Sequence, residues 1–224
     1  RAHDVAVSGS YVYVASLEGL RVIDVSHPTR PREIGSAPIE ADHVAVSDSV
    51  VYVTYEGGLR LLDVSVPENP VLIGQIDSAF VPTHLAVSGG YAYLSVRHGF
   101  LGRLLVIDVS TPSSPVEVGW VSTPGLALGV AVSGDRICVA DGNEGLSLID
   151  VSGPSDPQWF WSVGGRADDV AVSGEFAYVL DHWGDLLRVI DLGQRPSEVG
   201  SFEIDSPEDL AIAGNSVAVA SSST

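Results

Sequence analysis

Val5-Ala6-Val7-Ser8-Gly9-Ser10-Tyr11-Val12-Tyr13-Val14, continued by Gly19-Leu20-Arg21-Val22-Ile23-Asp24-Val25-Ser26-His27-Pro28-Thr29-Arg30-Pro31, is the stretch that decides the fold, because the rest of the chain repeats it. Its apolar and aromatic residues alternate at period two on either side of a Ser-Gly-Ser link, which reads as two strands joined by a tight hairpin. A third strand ends in Asp24. The Pro-x-x-Pro segment after it presets the backbone of a turn, and a fourth strand leads to the next copy. The tetrad recurs at Val44, Leu85, Val130, Val170 and, as Leu-Ala-Ile-Ala, at Leu210, in steps of 39, 41, 45, 40 and 40 residues. Equivalent third strands end at Asp63, Asp108, Asp150 and Asp191. Four strands in roughly 40 residues, repeated without a helical period, predict an all-β chain: a β-propeller of four-stranded antiparallel blades. Five full repeats and a partial sixth are present, and residues 1–224 read as one propeller domain. A six-bladed ring, its last blade incomplete or completed by another segment, is preferred to five blades with an overhanging hairpin. A hairpin alone is marginal, and an open ring leaves a long strand edge.

The string Gly-Leu-x-Val-Ile-Asp-Val-Ser-x-Pro-x-x-Pro followed by Asp-Val-Ala-Val-Ser-Gly-x-x-Ala-Tyr-Val resembles the LVIVD repeat of bacterial and archaeal cell-surface or secreted proteins. The likeness covers essentially the whole chain. It implies a propeller and an extracellular, cell-surface or periplasmic location, and it implies no single activity, since fold does not carry function. Two departures stand out: Gly193 replaces the motif Ser with only Pro196 retained, and Trp161 stands where other repeats have Gly35, Gly74, Gly119 and Gly200.

Composition narrows the partners. With 11 basic and 29 acidic residues the net charge is −18, which repels nucleic acid and anionic lipid surfaces. No apolar run reaches the ~18 residues of a membrane-spanning helix. Cys138 is the single cysteine, which rules out an internal disulfide or a zinc ribbon. The chain starts inside a repeat at Arg1, and this reads as a mature product or excised fragment, any export signal lying outside it.

Asp24, Asp63, Asp108, Asp150 and Asp191 hold one offset in each repeat, so they read as caps of the following turn rather than as a catalytic cluster. Cys138 replaces the packed tyrosine of other repeats and reads as an inert thiol. Trp120, Trp159, Phe160 and Trp161 lie in outer strands, where they cover a blade edge or offer a sugar-stacking or protein-contact surface. The loops between second and third strands differ in every repeat, and variable loops on a rigid scaffold are where binding resides. Glu18, Glu56, Arg97, His98, Asp141, Glu144, His182 and Trp183 are therefore the candidate ligand residues. The two positions before each tetrad supply His3, Asp4, Asp42, His43, His84, Asp168, Asp169, Glu208 and Asp209, which would form stacked rings if the tetrad strands converge. Their alternatives are a divalent cation, with zinc, manganese and calcium as candidates, or plain capping of backbone amides at the strand start. The expected function is a non-catalytic binding or scaffolding domain for a protein or glycan partner. The alternatives are a metal-dependent hydrolase or lactonase and a carbohydrate-binding module.

Overall fold

The computed structural model describes residues 2–99, 101–214 and 216–222, without the side chain of His98. All regular structure among them is β, and no helix is long and apolar enough to cross a membrane. The first sheet comprises β1 (Ala2–Ser8), β2 (Tyr11–Ser16), β3 (Leu20–Asp24) and β4 (Arg32–Ala37). The second comprises β5 (Val44–Ser47), β6 (Val50–Tyr55), β7 (Gly58–Asp63) and β8 (Val71–Asp77), and the third β9 (Val81–Ser88), β10 (Tyr91–His98), β11 (Leu101–Asp108) and β12 (Val116–Thr123). The fourth holds β13 (Val130–Ser133), β14 (Arg136–Ala140), β15 (Leu146–Asp150) and β16 (Gln158–Val163). The fifth holds β17 (Asp169–Ser173), β18 (Phe176–Asp181), β19 (Leu186–Asp191) and β20 (Ser197–Glu203), and a two-stranded sixth pairs β21 (Pro207–Ala213) with β22 (Ser216–Ser221). Strands follow chain order in every sheet, with the tetrad strand at one edge. This is the blade plan of a β-propeller. In the third repeat the extra residues lengthen β10 and β11, which run to His98 and from Leu101, instead of forming the expected loop.

The chain divides into two compact units, residues 1–92 with 107–117, and residues 93–106 with 118–224. In the first, Tyr13, Ala15, Leu20 and Val22 of the first blade bury against Val44, Val51, Val53, Leu62 and Val64 of the second. In the second unit, Cys138, Ala140, Leu146 and Leu148 pack in the same way against Val170, Ala177, Val179 and Ile190. The third-strand apolar residues of each of these blades thus face the blade that follows.

Local chemistry repeats with the blade. Asp24, Asp63, Asp108, Asp150 and Asp191 each accept the amide two residues on, from Ser26, Ser65, Ser110, Ser152 and Gly193, at 2.8–2.9 Å. Hydrogen bonds from Ser26, with Arg32 beside them, hold the Asp24 carboxyl down at about 2. The Pro-turns close through Arg30, Asn69, Ser114 and Asp156 amides donating to His27, Val66, Thr111 and Gly153 carbonyls. The first hairpin of each repeat turns through a positive φ of 53–60°, at Gly9, Asp48, Gly89, Gly134, Gly174 and Gly214. Asp48 is the exception in residue type and carries the strain of a side chain there. Asp48→Gly should raise stability by about 0.5 kcal/mol in chemical denaturation, the loosened unfolded chain offsetting part of the gain.

A second periodic contact lies in the outer strands. A Cβ placed on Gly35 or Gly74 would fall on the carbonyl oxygen of Pro67 or Pro112, in the Pro-turn of the next blade, and one on Gly119 would come to 2.5 Å from that of Pro154. Glycine is required because turn and strand backbones touch. At the fourth blade Trp161 occupies this position, and its indole Nε1–H donates to the Pro196 carbonyl at 3.2 Å. Room for the ring comes from the following turn, which runs five residues from Asp191 to Pro196 where the other repeats take seven from Asp to the second Pro. The two sequence departures are thus one coupled change.

Candidate functional site

The residues before the tetrads are placed by β-strand starts. Asp4 Oδ1 accepts the amide of Val5 at 2.7 Å while its Oδ2 accepts that of Val44 at 2.8 Å, so one carboxylate ties the edge strands of consecutive blades. Asp169 does the same for Val170, at 2.8 Å, and Leu210, and Asp209 accepts the Leu210 amide at 2.8 Å. Gly129 carries no such side chain because a Cβ there would meet Asp169 Oδ1 at 2.6 Å. The His43 and His84 rings lie with centroids 5.1 Å apart and planes tilted by 46°, and His43 Nδ1 lies 3.8 Å from Asp4 Oδ2. Burial, reinforced by His84, pushes His43 down to about 4 against the pull of Asp4 and Asp42, so its ring is neutral at physiological pH. His3 Nδ1 is 3.5 Å from Asp42, Asp168 pairs with Arg166, and Glu208 is exposed. Among the described residues no three His, Cys, Asp or Glu side chains converge in a way that could hold a metal ion. The expected rings are not assembled as a metal centre: Asp4, Asp169 and Asp209 point their oxygens at backbone amides, and Asp168 is taken by an arginine.

Burial lifts the Asp169 carboxyl to about 7, with the nearby Asp209 adding to it and the Val170 and Leu210 amides opposing. A carboxyl raised in the folded state binds its proton more tightly there than in the unfolded chain. Its stabilising contribution is full below about 4 and is lost as pH rises through about 7. Relative to Asp169→Asn, the native chain should lose about 2 kcal/mol of stability between pH 4 and pH 8, allowing for the water that reaches the carboxyl. Urea unfolding of both proteins across that range checks it, and parallel pH profiles would refute the assignment.

The candidate loop residues separate into three kinds. Glu18, Glu56, Arg97 and Glu144 are exposed on their loops or strand ends, Glu18 at the rim of a shallow depression with Arg21, Glu33 and Pro38. The side chain of His98 lies outside the described residues. Asp141 is not presented to solvent: it is fully buried and accepts from Thr123 Oγ1 at 2.6 Å, Gly125 N at 2.9 Å, Ala127 N at 3.0 Å and Ser147 Oγ at 2.9 Å. It holds the 123–127 segment in place, a part its loop position gave no hint of.

Trp183 is the reverse case, with its side chain 82% exposed on a loop that is pinned at every turn. Asp181 Oδ1 accepts the amides of Trp183 and Gly184 at 3.1 and 2.7 Å, and Asp185 Oδ1 accepts that of Ser206 at 2.9 Å. Beside the indole, at 5.1 Å from its centre, lies the guanidinium of Arg166. Arg166 is itself fixed by Asp168, through bonds of 2.7–3.0 Å, and by Asn143 Oδ1 at 2.7 Å. Asp168 also accepts the His182 amide at 3.0 Å, and the His182 Nε2 is buried with no hydrogen-bond partner among the described residues. The backbone under Arg166 is held by Arg188, which donates to the carbonyls of Gly164 and Arg166 and pairs with Glu198 at 2.8 Å. Arg166, Asn143 and Asp181 were missed as site residues from sequence. The signal for Arg166 is Arg166-x-Asp168, since residues two apart on extended chain share a side.

Cys138 is fully buried and burial raises its thiol to about 12, so it is no nucleophile. Trp159 and Trp161 are 41% and 40% exposed and spend their indole N–H on Ser147 Oγ and the Pro196 carbonyl, while Trp120 is 50% exposed with the Arg103 guanidinium 4.4 Å from its ring centre.

Residues 1–37, 40–78, 83–123, 124–163 and 164–202 each match the LVIVD repeat family. No curated protein sequence matches the chain. Among solved structures, a protein from Lactobacillus plantarum superposes with a TM-score of 0.85 at 12% identity, covering 98% of this chain and 77% of that one. The nidogen/laminin complex gives 0.67 at 13% identity, covering 90% and 80%, and apo AztD from Citrobacter koseri gives 0.57 at 18%, covering 90% of this chain and 60% of that one. At these identities the likeness is one of fold.

Proposed function

This chain belongs to the LVIVD repeat family, and on that premise we propose that it is a non-catalytic binding or scaffolding propeller of an exported or surface protein, with its ligand surface centred on Trp183. One observation carries the reading: a large aromatic side chain stands in solvent on a loop whose backbone is tied down, at the cost of leaving apolar area wet. Pre-ordered tryptophans beside arginine are what dominate binding interfaces, because little entropy remains to be lost. The Arg166 guanidinium, held by Asn143, sets a polar group beside the indole. A flat ring edged by planar hydrogen-bonding groups also suits a pyranose face, which favours a glycan as the second reading. That a propeller of similar fold occurs in the nidogen/laminin complex supports a protein partner. Screening the chain against glycan and extracellular-protein panels, then repeating each hit with Trp183→Ala, tests the surface. Affinity should fall roughly thirtyfold at unchanged thermal unfolding. Retained affinity would remove Trp183 from the site, and hits confined to proteins would remove the glycan reading.

A further inference from the structure

The first hairpin of the second repeat departs from the repeat pattern at a cost. Gly9, Gly89, Gly134, Gly174 and Gly214 supply the positive φ of this turn in the other repeats, and Asp48 meets it with a side chain, at φ 53°. Strain held against the pattern of a repeat points to a use outside the fold. The structural use of a turn aspartate is missing here. Asp24, Asp63 and their equivalents each hold an amide, whereas among the described residues no hydrogen bond or ion pair engages the Asp48 carboxylate.

Asp48 lines a groove of about 440 Å³ between the first two blades, inside the first compact unit. Small-molecule sites run to about 300–1,000 Å³, so the groove is of ligand size. Its walls are hydroxylic: Ser8, Ser10, Tyr11 and Tyr13 come from the first blade, and Ser49 stands beside Asp48 on the second. The hairpins that carry them are fixed, since the Val25 and Val64 amides donate to the Ser10 and Ser49 carbonyls at 2.8 Å. Burial, with Tyr11 adding to it, raises the Tyr13 phenol, and burial, with the Asp48 charge adding to it, raises that of Tyr52. Both phenols therefore stay neutral. No arginine or histidine lines the groove among the described residues, and the chain as a whole carries a net charge of −18. A carboxylate without a counter-charge, set beside hydroxyl oxygens in a negative field, attracts a cation and repels an anion. One carboxylate is too few for calcium, which takes about six to eight oxygen ligands.

We propose that this groove binds a small organic cation, an alkylammonium whose charge rests on Asp48 and whose other N–H bonds go to the serine and tyrosine oxygens. An ammonium offers donors and no acceptor, which suits a wall of one carboxylate and several hydroxyl oxygens. The site shares no residue with the Trp183 surface, so each stands or falls separately.

Isothermal titration calorimetry of the intact chain with butane-1,4-diamine tests it. N-acetyl-lysine methylamide serves as the side-chain form of the same group and methyl α-glucopyranoside as a neutral polyol, all at matched ionic strength. Saturable binding of an ammonium probe is expected, and the tighter of the two shows whether a free amine or a lysine side chain is the better occupant. Asp48→Asn keeps the shape, tolerates the positive φ and should weaken binding by roughly tenfold or more at unchanged melting temperature. Asp48→Gly restores the residue of the other repeats and should lose binding as fully while unfolding no more easily than the native chain. Glu117→Gln, which removes an exposed carboxylate from β12, should leave affinity within about twofold. No saturable heat with either amine overturns the proposal. So does equal affinity in Asp48→Asn and Glu117→Gln, which would mean diffuse attraction to an acidic surface, and so does preference for the glucoside, which would make the groove a sugar site.

Discussion

Asp141→Ala is expected to lower the stability of the chain by about 4 kcal/mol. The cost comes from the donors left behind: the amides of Gly125 and Ala127 are fixed in position, and each buried amide without an acceptor costs about 1–3 kcal/mol. The Thr123 and Ser147 hydroxyls lose their acceptor as well. Asp141→Asn should recover only part of this, since its amide oxygen accepts but its NH2 faces donors. Denaturant unfolding with an unchanged slope is the measurement. If the loss stays below about 1 kcal/mol, water has taken over the carboxylate's place and the buried clamp is not structural. The same variant separates scaffold from surface, because Asp141 should change stability while Trp183 changes binding.

Gly74→Ala is expected to cost about 3 kcal/mol or more, roughly 10 °C in melting temperature, although the change adds one methyl group. The new Cβ would overlap the Pro112 carbonyl oxygen, a backbone atom that no rotamer change can move aside. Gly200→Ala, at the equivalent offset with open space around it, should stay within about 0.5 kcal/mol of the native chain. Equal effects at the two positions would mean that strand propensity, not the neighbouring turn, selects glycine there.

These cases show which parts of the molecule the sequence discloses. Asp24 and its four equivalents were legible because the partner of each is two residues away and the contact recurs with the repeat. The capping role of Asp4 and Asp169 was also within reach, but not its span: the second amide belongs to another blade, some 40 residues on. Trp161 and the short turn at Pro196 were both visible as departures, and only the packing of one on the other made them a single feature. Asp141 was misjudged from its loop because its surroundings come from residues 123–127, across a sheet in sequence terms. Arg166 went unnoticed for the converse reason. It lies in an unremarkable link, and its partners Asn143 and Trp183 come from two different loops.

The pairing of Trp161 with the shortened turn constrains how such a chain can be rebuilt. Most of its repeats meet through interchangeable glycine and Pro-turn surfaces, so duplicating or exchanging one leaves compatible neighbours. The fourth and fifth repeats are a matched cassette. A seven-residue turn grafted after Trp161 would collide with the indole, and the short turn placed after Gly74 would leave a gap of ring size. Recombination within the array can therefore cut cleanly before the fourth repeat or after the fifth, while a crossover between them must carry both changes or yield a defective blade.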